Sequence, residues 1–246
     1  MRYLSWAIIL LTFLISACAS VPNKNETQAH FLLGDSYLRE GKYNLALKEL
    51  ILASQRSPSN PTIRMELGLA YMYRGDLKRA ERELRKAISL KDDFGEAYNN
   101  LGLLYLKMNR WQDAQKCFLR AVSIPTYTTP EIAYTNLGSC YVLQKKYLKA
   151  ERAFKQAIKL NFLYLPAYIG LGNLLEFQRR YLEALKLYQR AIIYLPKEAV
   201  LHYRVGMIYY RLGQQEAAKR EFKRVIDLNP GRALSQAAQQ MLEEMP

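Results

Sequence analysis

A glycine recurs along this chain at a nearly fixed interval, and this recurrence constrains the fold more than any other feature of the sequence. The gaps between successive copies are 34, 34, 36, 34 and 34 residues, and the copies are Gly34, Gly68, Gly102, Gly138, Gly172 and Gly206. A period of this length is typical of helical repeats that stack side by side, each burying apolar surface mainly against its neighbours. The sequence therefore predicts an all-α solenoid whose function resides on its surfaces.

Each repeat contains two segments whose apolar residues recur at helical spacing. The first segment carries the recurring glycine, and the second carries a triplet of small, large and small residues such as Ala114, Phe118 and Ala121. Glycine in the middle of a helix costs about 1 kcal/mol relative to alanine, so its recurrence needs a physical reason. We expect that reason to be a close approach of the second helix of the same pair.

The turn between the two helices of a repeat needs a residue that accepts the left-handed backbone conformation. Gly or Asn occupies this position in four repeats, as Gly41, Gly75, Asn109 and Gly213. Lys145 and Arg179 occupy it in the fourth and fifth repeats, so we expect those two turns to be less favourable.

The small and large positions of all six units match the tetratricopeptide repeat, which this chain resembles over residues 27–232. The units are 27–60, 61–94, 95–128, 131–164, 165–198 and 199–232. The resemblance implies a right-handed superhelical solenoid of six helix-turn-helix repeats that serves in protein binding. Residues 233–246 place Ala237, Met241 and Met245 at helical spacing, and they are predicted to form a capping helix.

The N-terminus has the pattern of a secretory signal. Arg2 precedes an apolar run from Leu4 to Ile15, which is too short to span a bilayer stably. The run ends in Ile15-Ser16-Ala17-Cys18, which resembles the bacterial lipobox. An ordinary signal peptide with an incidental cysteine is the alternative.

The resemblance to a lipobox implies that residues 1–17 are a signal peptide and that Cys18 is acylated. Ala19 stands where lipoproteins retained in the inner membrane would have Asp. This implies an outer-membrane location facing the periplasm. Residues 18–26 are predicted to be the acylated cysteine and a short unstructured tether.

The formal net charge is +14, with 36 Lys and Arg against 22 Asp and Glu. In a cytosolic protein this excess would suggest nucleic acid, but the predicted periplasmic location argues against that partner. The basic surface is interpreted either as a helix face near anionic lipid, cell-wall polymer or an acidic protein, or as a solvated face without a partner.

No motif in the sequence indicates catalysis. His30 and His202 stand at the fourth position of their repeats, where other repeats have Tyr98, Tyr134 and Tyr168, so they are interpreted as packing residues. The sequence has no metal-ligand spacing of Cys, His and carboxylates, no glycine-rich phosphate loop and no nucleophile–base pair. We predict a protein that is not an enzyme and that takes no cofactor, metal or small-molecule substrate.

Two further cysteines flank an irregularity in the repeat. Cys117 lies on the second helix of the third repeat and Cys140 on the first helix of the fourth, with two extra residues within 125–130 between them. In an oxidising compartment these cysteines are candidates for a disulfide. The alternative is that Cys140 is simply a small core residue.

The segment from Cys117 through Pro125-Thr126-Tyr127 to Cys140 resembles the type IV pilus biogenesis lipoproteins known as PilW, PilF or Tgl. Those proteins have six tetratricopeptide repeats behind a lipobox. The resemblance implies a pilotin, a lipoprotein that brings secretin subunits to the outer membrane and promotes their assembly. The alternative function is a periplasmic adaptor lipoprotein that recruits peptidoglycan-remodelling enzymes.

A partner segment would bind on the concave side of the repeats, where positions two, five, nine, twelve and thirteen of the first helices give a mostly apolar stripe. This predicted groove comprises Met65, Leu69, Met72, Tyr73, Asn99, Leu103, Leu106, Lys107, Ile132, Thr135, Val142, Leu143, Ile169, Asn173 and Phe177. Its methionines adapt to partners of varied shape.

Overall fold

The computed structural model describes residues 24–228 and 231–245, and all the regular structure in these ranges is helical. The predicted signal peptide, with Cys18 and Ala19, lies outside the described residues. The thirteen described helices are α1 Lys24–Arg39, α2 Tyr43–Arg56, α3 Pro61–Arg74, α4 Leu77–Leu90, α5 Gly95–Lys107, α6 Trp111–Val122, α7 Pro130–Leu143, α8 Tyr147–Leu160, α9 Leu165–Phe177, α10 Tyr181–Tyr194, α11 Ala199–Arg211, α12 Gln215–Asp227 and α13 Arg232–Glu243.

The chain divides into two compact units, with the boundary between Leu104 and Tyr105 inside α5. In the first unit, α1 packs against α2, α2 against α3, and α3 against α4. In the second unit, consecutive helices pack in the same way from α6 through α13, and α7 also contacts α9. The predicted order of six helix pairs followed by a final helix is therefore observed.

The recurring glycine lies beneath the large residue of the second helix, as expected. A Cβ atom on Gly172 would come within 2.1 Å of the Tyr188 ring, and one on Gly68 within 2.8 Å of the Leu84 Cγ. Real Cβ atoms do not approach other atoms so closely, because interiors are already packed to crystal-like density. The large residue fills the space that a side chain at the glycine would need.

The turns also follow the expected chemistry. Gly75 has a φ of 93°, while Lys145 and Arg179 take the same left-handed region with φ of 59° and 60°. Residues with a Cβ adopt this conformation at a cost of roughly 1–2 kcal/mol. The fourth and fifth repeats thus keep the turn geometry without the residue that best suits it.

The first helix begins at Lys24, so the last residues of the predicted tether, up to Glu26, are helical instead of unstructured. An ion pair joins this start of α1 to the end of α2, because the Arg56 guanidinium donates two hydrogen bonds to the Glu26 carboxylate, one of them 2.7 Å long.

The last helix covers the final repeat. Ala238 and Met245 are buried with Phe222 and Val225 in one apolar cluster at this end of the described chain. This contact is the capping role predicted for residues 233–246.

None of the described helices is long and apolar enough to cross a membrane.

Candidate partner-binding surfaces

The residues of the predicted groove divide into three groups by exposure. Met65, Met72, Asn99 and Thr135 are buried. Leu69, Leu103, Leu106, Ile132, Val142 and Ile169 are partly buried, whereas Tyr73, Lys107, Leu143, Asn173 and Phe177 are exposed. Neighbouring side chains thus already cover four of the predicted groove residues, and partner binding along the groove stays a prediction.

In the second unit, four of the predicted residues line a single apolar pocket of about 410 Å³ on α7 and α9. These residues are Val142, Leu143, Asn173 and Phe177, and the others lining it are Ser139, Phe154, Gly170 and Leu174. Leu143 is 47% exposed and Phe177 68% exposed, whereas Phe154 is buried. A large exposed aromatic beside a recess with an apolar floor is a typical anchor site for a partner side chain.

Gly170 opens this pocket. A Cβ atom at this position would lie 2.5 Å from the Phe154 ring, so any side chain here would fill the recess or displace the ring. The repeat pattern marks Gly172 but not Gly170. Gly170 lies two residues before Gly172, and no other repeat has a glycine at this position. This extra glycine is the sequence signal that indicates the pocket.

Phe177 is held by an aromatic contact that recurs along the chain. Its ring centroid lies 5.6 Å from that of Tyr147, in a tilted arrangement. In the first unit, Tyr43 and Tyr73 occupy the corresponding repeat positions and stack with centroids 5.4 Å apart. Such pairs stabilise their geometry by about 0.5–1.5 kcal/mol beyond burial. Tyr73 also lines a pocket of about 440 Å³ with Gly41, Lys42, Tyr43, Asn44, Leu45 and Arg74.

The glutamates of α8 and α9 are engaged by internal partners. The Glu176 carboxylate accepts a hydrogen bond of 3.0 Å from the Tyr188 hydroxyl and lies 3.9 Å and 3.7 Å from the guanidinium groups of Arg204 and Arg211. Arg180 donates a 2.7 Å hydrogen bond to Glu151 and thereby lowers the pKa of that carboxyl. The pocket therefore offers a partner apolar contact instead of an unpaired carboxylate from these helices.

Both described cysteines are buried thiols. The Cys140 thiol donates to the Trp111 carbonyl oxygen at 3.2 Å, and the Gln144 amide donates to the Cys140 sulfur at 3.3 Å. Burial raises the pKa of this thiol above its ordinary value. A disulfide between Cys117 and Cys140 stays a prediction, as does acylation of Cys18, which lies outside the described residues.

The histidines belong to a pairing that the repeat pattern does not reveal. His30 Nδ1 lies 2.7 Å from Glu49, and His202 Nδ1 lies 2.7 Å from Glu221. In the second repeat, Arg64 donates a 3.0 Å hydrogen bond to Glu83. In all three repeats the fourth position pairs with a glutamate 19 residues later, at position 23. The signal in the sequence is a glutamate at position 23 wherever position four is His or Arg.

In the part of the chain that the structure describes, no group of three or more His, Cys, Asp and Glu residues is placed to hold a metal ion.

Family models match most of the repeats. Models described as tetratricopeptide repeat match residues 27–60, 93–161 and 199–232, and one described as TPR repeat matches residues 68–109. An uncharacterized protein of Haemophilus influenzae is 27% identical over 124 residues, which are 48% of this chain and 69% of that protein. A TPR repeat-containing protein of Pseudomonas aeruginosa is 39% identical over 95 residues, 38% of each chain.

Solved structures resemble nearly the whole chain. PilF of Pseudomonas aeruginosa superposes with a TM-score of 0.70 at 22% identity, covering 88% of this chain and 97% of PilF. PilW, described as a widely conserved type IV pilus biogenesis factor, superposes with a TM-score of 0.72 at 24% identity, covering 87% of this chain and 98% of PilW. At these identities the likeness shows the fold. With six helix pairs, a capping helix and matching repeat models, this chain is a tetratricopeptide-repeat protein.

Proposed function

We propose that this protein is an outer-membrane lipoprotein, facing the periplasm, that acts as a pilotin for a type IV pilus secretin. It binds a segment of the secretin subunit through its apolar pocket and carries the subunit to the membrane by a lipid on Cys18. In this proposal the protein has no catalytic activity, and its partners are the secretin and the membrane.

The observation that carries the proposal is the apolar pocket on α7 and α9. Phe177 and Leu143 lie beside a recess of about 410 Å³, while Glu176 on the same helix as Phe177 is engaged within the protein. An extended or amphipathic segment could insert an apolar side chain there while its polar side chains stay in solvent. The likeness of the fold to PilF and PilW supports a role in pilus biogenesis.

Replacing Phe177 by Asp tests the pocket. Because this places a charge where the partner must exclude water, we expect co-purification with the secretin to fall by about thirtyfold or more, as for a binding hot spot. The matched control is Leu182→Asp, since Leu182 is 63% exposed, similar to Phe177 at 68%, and does not line the pocket. Equal loss in both variants, or unchanged co-purification in the Phe177 variant, would remove the pocket from the mechanism.

The cellular readout is the heat-resistant secretin multimer. A strain carrying Phe177→Asp should lose the multimer, whereas intact multimers with altered cell shape would instead support an adaptor for peptidoglycan-remodelling enzymes.

Cys18→Ser separates anchoring from binding: this variant should bind the secretin but leave the outer-membrane fraction. Recovery of the variant in that fraction would contradict the anchor.

A further inference from the structure

The fifth repeat does not have the residues that form the pairing between positions four and 23. Position four is Tyr168 and position 23 is Leu187, so position 23 supplies no carboxylate to the tyrosine. Tyr168 is fully buried, yet its hydroxyl has no hydrogen-bond partner among residues 24–228 and 231–245. A buried hydroxyl without a partner is unfavourable and rare, so this one needs an explanation.

A pocket of about 520 Å³ opens at this position, and both Tyr168 and Leu187 line it. Its other walls carry three cations, Lys155, Lys159 and Arg190, and two aromatic residues, Phe162 and Tyr194. The Lys155 ammonium donates a 2.6 Å hydrogen bond to the Glu151 carboxylate. Lys159 and Arg190 have no ion-pair partner within the described part of the chain. The walls of the pocket thus carry uncompensated positive charge beside a buried tyrosine whose hydroxyl lacks an acceptor.

The aromatic wall gives the pocket an apolar side. Phe162 and Tyr194 pack with ring centroids 5.1 Å apart, and they are 52% and 40% exposed. A ligand that satisfies the cations could therefore also bury an adjacent apolar group against these rings. Burial raises the pKa of Tyr168 above its ordinary value, which keeps the hydroxyl protonated and able to donate.

The fourth repeat has a related pocket at the same repeat positions. It measures about 370 Å³ and is lined by Tyr134 at position four, Ala153 at position 23, and the cations Lys149 and Arg152 among others. The fourth and fifth repeats therefore each have a tyrosine at position four and basic side chains nearby. In the first, second and sixth repeats a glutamate at position 23 pairs with position four. A ligand with more than one acidic group could use both pockets.

We propose that the Tyr168 pocket binds a carboxylate of an acidic peptide segment of a partner protein, with a neighbouring apolar side chain of that peptide against Phe162 and Tyr194. The carboxylate takes the place that Glu49, Glu83 and Glu221 occupy in the first, second and sixth repeats. It accepts hydrogen bonds from the Tyr168 hydroxyl, Arg190 and Lys159. This site is separate from the apolar pocket of the proposed function and goes beyond it.

A peptide fits this pocket better than a membrane surface does. Tyr168 and Leu171 at its base are both buried, with exposures of 0% and 2%. A flat bilayer contacts protruding residues, whereas a single side chain can enter a recess. In the first, second and sixth repeats a glutamate carboxylate pairs with position four. The planar guanidinium of Arg190 can bind a carboxylate through two parallel hydrogen bonds.

The direct test uses two fluorescent peptides, each acetylated and amidated, with the sequences Gly-Phe-Glu-Phe-Gly and Gly-Phe-Gln-Phe-Gly. Anisotropy titration of the purified full-length protein should show binding of the Glu peptide about tenfold tighter than that of the Gln peptide. Arg190→Gln and Tyr168→Phe should each remove most of this preference. Arg220→Gln, an exposed position on α12 with the same loss of charge, is the matched control and should leave it intact.

A closing variant makes the test sharper. Leu187→Glu restores the position-23 glutamate, so it should abolish binding of the Glu peptide while the circular dichroism spectrum stays helical. Tyr168→Phe should raise the melting temperature of the free protein by about 2–4 °C, because it deletes an unsatisfied hydroxyl. That gain together with weaker peptide binding distinguishes a ligand-binding hydroxyl from a packing defect.

Several outcomes would overturn the proposal. These are equal binding of the two peptides, unchanged binding by a folded Leu187→Glu variant, or equal losses in Arg190→Gln and Arg220→Gln. Arg190-dependent capture on phosphatidylglycerol vesicles without preference for the Glu peptide would assign the pocket to a lipid headgroup instead. Secretin co-purification reports on Phe177 separately, so failure here leaves the proposed function standing.

Discussion

The second and fifth repeats share one backbone plan and differ in how their side chains complete it. Both place a glycine beneath a large residue, Gly68 under Leu84 and Gly172 under Tyr188. In the second repeat, positions four and 23 are Arg64 and Glu83, which form a buried ion pair. The fifth repeat has Tyr168 and Leu187 at those positions, and a pocket lies there instead.

The same contrast holds at two other positions. Position six is Glu66 in the second repeat and Gly170 in the fifth, where the missing side chain opens the apolar pocket. The turn is Gly75 in the second and Arg179 in the fifth. The same backbone can thus have its recesses filled by its own side chains, as in the second repeat, or left as pockets, as in the fifth. The difference lies in the residues at positions four, six and 23.

Removing Glu83 should destabilise the protein by leaving the buried Arg64 unpaired. Glu83→Ala leaves the Arg64 guanidinium, whose side chain is 11% exposed, without its 3.0 Å carboxylate partner. Loss of one member of a buried ion pair costs about 3–5 kcal/mol, because the other charge stays desolvated. Urea unfolding should therefore show a fall in the free energy of unfolding of about that size.

The control for this variant is the double change Arg64→Met with Glu83→Leu. Apolar residues of similar volume remove both charges, so the double variant should recover most of the stability lost by Glu83→Ala. A single variant as stable as the parent protein would show that the pair does not close the second repeat.

Glu66 should make the second repeat sensitive to pH. Burial raises the pKa of its carboxyl from 4.5 to about 7, with a further rise from Asp35 and an opposing effect of Arg39. The folded state therefore binds a proton more tightly than the unfolded state does, and the stabilisation present at low pH is lost as the pH rises through about 7. Glu66→Gln should remove this loss and raise the free energy of unfolding by about 3 kcal/mol at pH 8, with little change below pH 4.5.

Asp35→Asn provides the second arm, because it removes the negative charge that contributes to the rise. It should lower the Glu66 pKa and move the pH at which stability declines to a lower value. Identical pH profiles of the parent and Glu66→Gln proteins between about pH 5 and 8 would contradict the assignment. Guanidinium unfolding at a series of pH values measures both effects.

The periodic features of this fold could be predicted because each repeats a local physical requirement. The glycine at intervals of 34 residues predicts the close contact beneath Leu84 and Tyr188, and the structure confirms it. The position of the turn predicts left-handed backbone at Lys145 and Arg179, where no glycine marks it. These features depend on short sequence distances and on the size of single side chains.

The open surfaces could be predicted only in part, since they depend on which side chain covers which. Met65 and Thr135 occupy groove positions by their helical register, but neighbouring residues bury them. At the Tyr168 pocket, Leu187 stands where the first, second and sixth repeats have a glutamate. The missing carboxylate can be recognised only once the position-four pairs of those three repeats are known. Gly170 has no counterpart in the repeat pattern, although its effect is to leave a recess above the Phe154 ring.

The turns of the second and fifth repeats differ in the residue that takes the left-handed backbone conformation. Arg179 has a φ of 60°, which a residue with a Cβ adopts at a cost, whereas Gly75 at the same position of the second repeat has no such cost. Arg179→Gly should therefore raise the free energy of unfolding by about 1 kcal/mol, or the melting temperature by about 2–4 °C. The reciprocal variant Gly75→Arg should lower it by a similar amount, because it adds a Cβ at a φ of 93° with no neighbouring atom within 4 Å to compensate.

The control for the turn is a glycine placed where the backbone is already relaxed. Lys186 is an exposed residue in the middle of α10, so Lys186→Gly should destabilise the protein by about 1 kcal/mol through the entropic cost of glycine alone. Thermal unfolding of the two variants should thus give shifts of opposite sign. Such a result would show that the gain at Arg179 comes from the backbone conformation, whereas a loss at both positions would show that Arg179 makes contacts that outweigh its strained turn.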